Sequence, residues 1–296
     1  HLEKFAPLLS EILTAHSLKP GDLDYVAVTT RPGLIGALLV GYQSARACAR
    51  FFRAPLIGVH HLEAHLAAVR LSGQETPFPA LGLILSGGNS AIYELKRPGE
   101  IRVVGDTLDD AAGEALDKAA QILGLGYPGG PRIEERAEAF ALSRGIAAGY
   151  EHNLDEKNIF PVIMKSLRRD KVEFSFSGIK TALLRAHESA AEKNTDALAF
   201  FYQERIVEHI TRNLSHAIEI AGKLPVIAAG GVLANKRLRR CLAGVCRQHG
   251  AKLLIPEIRY CTDNAAMVAA AAQLYFENQL QSPYRDVQSV NTFLAV

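Results

Sequence analysis

The sequence predicts an α/β fold, because short aliphatic runs alternate with helical patterns along most of its 296 residues. Two observations lead to this prediction: the aliphatic runs have the length of buried strands, and the segments between them repeat apolar residues at helical spacing. The chain is 48% hydrophobic and can bury a sizeable core, and its length is near the point at which single cores divide. We therefore expect one large or two moderate domains.

The first half opens with an amphipathic helical pattern and then alternates strands with helices. Because the chain begins at His1, inside that pattern, we expect that it lacks an N-terminal piece. A Ser-Gly-Gly-Asn-Ser turn joins two of the predicted strands, as in a hairpin. The predicted strands are 25–29, 55–59, 81–85, 92–95 and 101–104, and the predicted helices are 34–52 and 62–71.

The second half also alternates helices and strands, after a glycine-rich segment. A helical pattern over 110–124 runs into the Gly- and Pro-rich segment 124–131, which we predict to be a tight loop. The polar segment 143–169 is the expected position of a lobe change or insertion. Further patterns predict helices at 179–191 and 196–221, strands at 225–229 and 252–255, and helices from residue 234 and after residue 262.

Composition excludes several classes of protein. Lys and Arg total 33 against 31 Asp and Glu, so a nucleic-acid partner would have to be held by local basic patches. The four cysteines form no CxxC pair and no zinc-ribbon spacing, which favours a reducing cytoplasm over a disulfide scaffold. No apolar run reaches the roughly 18 residues of a membrane span. We expect a cytoplasmic protein.

Two histidines four residues apart follow the strand predicted at 55–59. On an α-helix, His61 and His65 would place both imidazoles on one face, at a separation that one metal ion can bridge. In a zinc protease a glutamate directly follows the first histidine, whereas Glu63 stands two residues after His61 and points elsewhere. That class is therefore excluded. The alternative is a pair of surface or N-capping histidines.

Two imidazoles leave a metal ion under-ligated, so a carboxylate from another part of the chain is expected. Asp263 is our candidate, because it stands where the last predicted helix begins. The alternative is that Asp263 simply caps that helix.

Three glycine loops, at 86–88, 129–130 and 230–231, adjoin predicted strands or helices. Glycine allows a phosphate or ribose to approach backbone N–H groups, and a helix N-terminus adds a favourable dipole. None of the loops matches GxxxxGK[ST] or GxGxxG. Together they favour a nucleotide cleft that is neither a P-loop nor a Rossmann site, although any one of them alone would be an ordinary turn.

Two polar residues are further candidates for nucleotide contacts. Asp117 shares a predicted helix face with Asp110 and Glu114 and could accept hydrogen bonds from a ribose, but the three could also form a solvated acidic face. Asn235 follows the second Gly-Gly pair and could be an N-cap or a base or ribose contact. The sequence leaves both alternatives open.

Seven ordered segments together resemble the bacterial and mitochondrial TsaD family, the tRNA N6-adenosine threonylcarbamoyltransferases, whose archaeal and eukaryotic counterpart belongs to the KEOPS assembly. The resemblance covers nearly the whole chain, and so many ordered motifs are very hard to obtain by chance. The segments are HHLEAH, LSGGNS, GDTLDDAAGEALDK, GLGYPGGP, FSFSGIKTAL, GGVLAN and CTDNAAM.

The resemblance implies the two-lobed actin-like ATPase (ASKHA) fold, with the N-terminal strands of the first lobe missing from this chain. We accordingly expect a first lobe at 1–105, which bears the histidines, and a second at 106–296, which returns to the first near the C-terminus. The family's metal ligands match His61, His65 and Asp263. Its substrate contacts match Ile84, Leu85, Ser86, Gly87, Gly88, Asp117, Gly130 and Asn235.

The activity that the resemblance implies is transfer of threonylcarbamoyl from threonylcarbamoyl-AMP to N6 of the adenosine 3′-adjacent to the anticodon. The acceptors would be tRNAs that read ANN codons, and the product is t6A. Iron is the metal that the family favours, and zinc suits the same ligands. ATP or ADP is a further candidate nucleotide. The sequence identifies no general base, and a residue of the missing N-terminal piece is one candidate.

The resemblance also implies partners: tRNA, a heterodimer with a TsaB-type paralogue, a TsaE-type ATPase, and a separate synthase that supplies the donor. A carbamoyltransferase of the hydrogenase-maturation or O-carbamoylating type and a non-catalytic scaffold paralogue are the alternatives. Eight basic residues could grip tRNA phosphates or lie on solvated faces: Lys165, Arg168, Arg169, Lys171, Lys236, Arg237, Arg239 and Arg240.

Overall fold

A computed structural model describes residues 2–146, 172–189 and 194–288. Among these residues, no helix combines the length and apolar character needed to cross a membrane. The helices of the described part are α1 Leu2–His16, α2 Ile35–Phe52, α3 His61–Ala67, α4 Ala112–Ile122, α5 Gly129–Ser143, α6 Ser177–Ser189, α7 Thr195–Ala221, α8 Lys236–Gln248 and α9 Ala265–Glu277. Its strands are β1 Val26–Arg31, β2 Leu56–His60, β3 Ala80–Leu85, β4 Ser90–Arg97, β5 Glu100–Thr107, β6 Val172–Phe174, β7 Val226–Ala229 and β8 Leu253–Leu254.

The chain divides into two compact units, and neither is continuous in sequence. Unit 1 comprises 1–76, 96–101 and 263–296, and unit 2 comprises 77–95 and 102–262. We predicted a single boundary between residues 105 and 106, whereas the units divide at 76/77, 95/96, 101/102 and 262/263. Segment 77–95 joins unit 2 because β3 pairs with both β4 and β7, so a cut at one point of the chain cannot separate the units.

Unit 1 is built around a parallel pair of strands, β1 and β2. Helices α2, α3 and α9 pack on this pair. The helix predicted over 62–71 ends earlier: α3 stops at Ala67, and a 3₁₀ turn continues to Ser72. Leu62, Ala64, Leu66 and Ala67 of α3 are at most 1% exposed, so burial holds this short helix in place.

Unit 2 contains a six-stranded sheet in the order β6-β5-β4-β3-β7-β8. β3 is its centre: it pairs antiparallel with β4 and parallel with β7, and all six of its residues are buried. Such continuous burial explains why the strand is an unbroken aliphatic run in the sequence. The buried core of unit 2 also includes one side each of α4, α5 and α7.

Helix α5 was not predicted, because its start lies in the segment that we assigned to a loop. Pro128 stands at its N-cap and Gly129 is its first residue, positions where a helix tolerates both residue types. The same residues inside a helix would break it, which is why the loop prediction failed at this end. Strand β6 was also missed, since it has only three residues. Most of the polar segment 143–169 lies outside the described residues.

Candidate metal centre and nucleotide loops

The HHLEAH segment turns from β2 directly into α3. His60 is the N-cap of this helix, and its Nδ1 accepts a hydrogen bond from the Leu62 N–H at 3.3 Å. An acceptor nitrogen has to be unprotonated, and burial lowers the pKa of His60 to about 3, with smaller contributions from Arg31 and His61. His60 therefore has the capping role that we considered for the histidine pair, which leaves His61 and His65 on the helix itself.

His61 and His65 converge on Asp263 within unit 1. The Nε2 atoms of His61 and His65 lie 3.5 and 3.1 Å from Asp263 Oδ1. The ligand atoms of all three residues lie within 4.8 Å of one another. His65 is buried, His61 is a quarter exposed and the Asp263 side chain is 79% exposed, so this cluster has an open side.

The alternative role for Asp263 as a helix cap is taken by the next residue. Asn264 is the N-cap of α9, and its side-chain oxygen accepts a hydrogen bond from the Met267 N–H at 2.8 Å. The Asp263 carboxylate is thereby left to face the two imidazoles. The cap fixes where α9 begins, and with it the position of the residue before the cap.

The protonation states of the cluster suit a cation. Burial lowers the pKa of His61, and the neighbouring His65 lowers it further, which outweighs the opposing effect of Asp263. A hydrogen bond from His65 lowers the pKa of Asp263, with burial opposing it. Near neutral pH the site therefore favours an unprotonated His61 and an ionised Asp263, the forms that bind metal.

The donor set fits a divalent transition metal. Two imidazoles and one carboxylate form the set that zinc and non-haem iron sites share. Ligands at about 2.1 Å from a tetrahedral ion stand about 3.4 Å apart, which the two nitrogen–oxygen separations match. His65 Nδ1 is buried and has no hydrogen-bond partner among the described residues. Such a nitrogen normally finds an acceptor or a water molecule when the ring binds metal.

Glu63 lies apart from this cluster. It is 2% exposed, and its carboxylate accepts hydrogen bonds from the Tyr275 hydroxyl at 2.7 Å and from the Gly99 N–H at 2.9 Å. Burial raises its pKa to about 7, although both hydrogen bonds act in the opposite direction. The carboxylate is thus committed elsewhere, in agreement with our exclusion of a zinc protease. No local sequence pattern marks Tyr275 as the partner of Glu63, because the two residues are 212 positions apart.

The first glycine loop forms the turn from β3 to β4 in unit 2. Gly87 and Gly88 are exposed, and an added Cβ would have open space at either position. Ser86 closes the turn: its N–H donates to the Asn89 carbonyl and its Oγ accepts from the Asn89 N–H. The predicted contacts Ile84 and Leu85 are different, since both side chains are fully buried in β3. Only their backbone could contact a ligand.

Asp117 is tied to the start of α5. One of its carboxylate oxygens, Oδ1, accepts a hydrogen bond from the Gly129 N–H at 2.7 Å, and Oδ2 has no hydrogen-bond partner among the described residues. A Cβ on Gly129 would lie 2.5 Å from Asp117 Cα and 2.6 Å from the Leu116 carbonyl oxygen, so only glycine fits. At Gly130 the nearest atom would be 3.9 Å away. Asp117 therefore positions this loop and keeps one oxygen for a further hydrogen bond.

Asn235 is the N-cap of α8, one of the two roles that we considered for it. Its side-chain oxygen accepts from the Leu238 N–H at 2.8 Å, and its amide nitrogen donates to Gln203 Oε1 at 2.7 Å. An amide has two acceptor lone pairs and two donor hydrogens, so one of each remains for another contact. Asn235 is only 9% exposed, however, and little of it is open to solvent.

The acidic residues before α4 have structural partners, although Asp109 itself is exposed. Asp109 accepts hydrogen bonds from the Ser175 and Ser177 hydroxyls and from the backbone at Phe176 and Ser177. Asp110 lies 2.7 Å from the Lys118 amine and 2.8 Å from the Lys180 amine. These contacts fasten the FSFSGIK segment to the DDAAGEALDK segment.

The basic residues of α8 are also partly committed to structure. Arg237 forms a two-pronged ion pair with Glu204, and Arg239 donates to the carbonyls of Leu233 and Pro256. The Lys236 amine lies 3.7 Å from a Glu138 carboxylate oxygen in an exposed pair, and the Lys236 N–H donates to the Glu134 carboxylate at 2.8 Å. Arg237 and Arg239 are therefore held in internal contacts. The other predicted basic cluster, at 165–171, lies outside the described residues.

Comparisons with known proteins agree on one family. The family model described as "TsaD: tRNA N6-adenosine threonylcarbamoyltransferase" matches residues 1–270. A protein of that name from Leptospira interrogans is 42% identical over 95% of this chain and 80% of its own length. The Bacillus subtilis protein of that name is 37% identical over 96% of this chain and 79% of its own length.

A solved structure supports the fold. HypF from T. kodakarensis has a TM-score of 0.56 at 16% identity, over 93% of this chain and 44% of that protein. At this identity the likeness concerns the fold alone, and it confirms the predicted α/β architecture of the actin-like ATPase class. The family match and the two relatives lead to a narrower conclusion: this chain belongs to the TsaD family, the tRNA N6-adenosine threonylcarbamoyltransferases.

Proposed function

We propose that this chain transfers the threonylcarbamoyl group from threonylcarbamoyl-AMP to N6 of the adenosine 3′-adjacent to the anticodon in tRNA, forming t6A. The observation that carries the proposal is the convergence of His61, His65 and Asp263, in a chain that belongs to this family. In the reaction the N6 amine forms a bond to the carbamoyl carbon, and the bond from that carbon to the phosphate oxygen breaks. AMP leaves with the bonding electron pair, and N6 loses a proton to the solvent.

His61, His65 and Asp263 are the proposed ligands of one divalent metal ion. When bound, the ion would polarise the donor's carbonyl oxygen as a Lewis acid. His65 is buried, whereas the exposed side of Asp263 leaves room for further ligands. Iron and zinc both suit these three residues, and we propose iron because the family favours it.

The loops of unit 2 are the proposed contacts for a nucleotide. The exposed backbone at Gly87 and Gly88 and the partly exposed backbone at Gly130 offer N–H groups for phosphate oxygens. The second oxygen of Asp117 is the proposed acceptor for a ribose hydroxyl. Asn235 would add a contact through its remaining hydrogen or lone pair. These loops could bind ATP or ADP by the same groups.

The proposed activity brings further partners with it. A separate synthase has to make the donor, and a TsaB-type paralogue and a TsaE-type ATPase are the proposed protein partners. Because the acceptor is tRNA, we place the protein in the cytoplasm. Co-purification of the tagged chain with each partner type, with and without nucleotide, tests these assignments.

Transfer of labelled threonine onto tRNA tests the activity itself. The assay combines the chain, its synthase, its partners, ATP, bicarbonate and unmodified tRNA, and we expect label on the adenosine next to the anticodon. His65→Ala should abolish this label, while His16→Ala, which changes an exposed histidine of α1, should not. Absence of label with the unaltered chain and all components present would refute the assignment and favour a carbamoyltransferase or scaffold role.

A further inference from the structure

Glu63 is a buried carboxylate that the proposed reaction does not use. It stands between the two histidines in sequence, is 2% exposed, and accepts hydrogen bonds from Tyr275 and Gly99. Burying a carboxylate is strongly unfavourable unless the carboxylate is well hydrogen-bonded. The two hydrogen-bond donors therefore show that the burial of the Glu63 carboxylate is compensated by specific contacts.

This contact joins three separate segments of unit 1. Glu63 belongs to α3, Tyr275 to α9, and Gly99 to the turn between β4 and β5. Gly99 has a φ of +79°, and a Cβ there would lie 3.1 Å from the Tyr275 hydroxyl and 3.2 Å from Pro283. A glycine is thus what allows the turn to come so close to Tyr275.

The Glu63 side chain lies on the side of α3 opposite the two histidines. At about 100° per residue, His61 and His65 project about 40° apart, while Glu63 projects about 200° from His61. Glu63 is therefore on the back of α3, opposite the imidazoles. A bond on the back of a helix fixes its rotation about its own axis, and that rotation decides where the imidazoles point.

The two helices joined in this way carry all three proposed ligands. Helix α3 bears both histidines, and Asp263 immediately precedes the N-cap of α9. Because α3 has only seven residues, it is too short to keep its own orientation and depends on external contacts.

We propose that Glu63 and Tyr275 are positioning residues for the metal centre: their hydrogen bond holds α3 and α9 in the orientation at which His61, His65 and Asp263 converge. This inference rests on the metal site proposed above. Neither residue touches the reacting groups, and both act through the ligands.

Metal affinity of the purified chain tests the inference without any assay of activity. Tyr275→Phe removes the hydroxyl and keeps the ring, so the buried packing around it is retained. We expect zinc affinity, measured by competition with a chelator, to fall about tenfold or more, the usual lower range for residues that support metal ligands. The cobalt-loaded variant should also show altered d–d absorption bands, because these bands report ligand geometry.

Two further variants separate positioning from general loosening. Tyr25 donates a hydrogen bond to the Ala269 carbonyl of α9 at 3.0 Å, so Tyr25→Phe removes a similar bond from the same helix without touching α3. Its zinc affinity and cobalt spectrum should match the unaltered chain. Glu63→Gln keeps an acceptor for Gly99 and a polar partner for Tyr275, and it should bind zinc within about threefold of the unaltered chain.

Each outcome decides between the two proposals. Zinc affinity and cobalt spectrum of Tyr275→Phe equal to those of the unaltered chain would overturn the positioning role alone. An equal loss in Tyr25→Phe would overturn it too, since any loosening of α9 would then suffice. If the unaltered chain binds no metal, or His61→Ala binds it equally well, the metal site itself fails, and the positioning role with it.

Discussion

The candidate metal centre of unit 1 and the glycine loops of unit 2 are built from different parts of the chain. The first is made of side chains that two helix starts bring together, with Asp263 exposed beyond the N-cap of α9. The second is made of backbone, in turns closed by Ser86 and Asp117. At the first site, substitutions can remove a ligand side chain without changing the backbone. At the second site, a substitution can affect binding without affecting stability only where a glycine has free space around it.

The largest effect is expected from His65→Ala, which removes one side chain of the candidate metal centre. We expect loss of bound metal and a fall in threonylcarbamoyl transfer of at least about a thousandfold, because the remaining two ligands cannot hold and orient an ion. The melting temperature of the metal-free protein should change by only a few degrees. Transfer activity and metal content of the same preparation measure this, and normal turnover in the variant would contradict it.

Gly129→Ala and Gly130→Ala are a matched pair of variants that tests the backbone of the second glycine loop. A Cβ at Gly129 meets backbone atoms of residues 116 and 117 within 2.6 Å, so we expect about 3 kcal/mol of destabilisation. At Gly130 the nearest atom is 3.9 Å away, so that variant should keep its stability and lose donor affinity. Chemical denaturation and nucleotide titration measure both. Equal stability of the two variants would contradict this distinction.

An acid-sensitive contact in unit 2 offers a third test. His209 Nε2 accepts a hydrogen bond from the Ser175 N–H, and burial lowers the pKa of His209 to about 4. The unfolded chain then binds one more proton between pH 6.5 and 4, so stability is full above pH 6.5 and falls as pH drops towards 4. At about 1.36 kcal/mol per pH unit, discounted for partial exposure, we expect a loss of about 2 kcal/mol.

His209→Gln is the control for this test. Its amide oxygen can still accept from Ser175, but it does not titrate, so the variant should show a flatter dependence of unfolding free energy on pH between 6.5 and 4. An unchanged slope in the variant would assign the acid sensitivity to other groups.

The smallest effect is expected at Asn235. Asn235→Ala removes the cap of α8 and the partner of Gln203, and we expect a loss of about 1 kcal/mol in unfolding free energy. If Asn235→Ala raises the KM for the donor more than Gly130→Ala does, Asn235 also contacts the nucleotide. An unfolding free energy equal to that of the unaltered chain would contradict the cap.

The sequence predicted those features that short-range patterns encode. The alternation of strands and helices, the histidine pair and the glycine loops follow from residues within one turn or one strand of each other. Asp263, about 200 residues from His61, was a candidate because it stands at a predicted helix start, and the family resemblance agreed with that choice. Tyr275 as the partner of Glu63 could not be predicted at all, since the contact depends on how α9 packs against α3. Helix α5 was missed because Pro128 and Gly129 look like breakers unless their position at a helix start is known.

Anomalous scattering at the metal absorption edge, from crystals of the metal-loaded protein, tests the central claim most directly. We predict one peak per chain, at about 2.0–2.2 Å from a ring nitrogen of His61, a ring nitrogen of His65 and a carboxylate oxygen of Asp263. A peak elsewhere in the chain, with these three side chains unligated, would contradict the account.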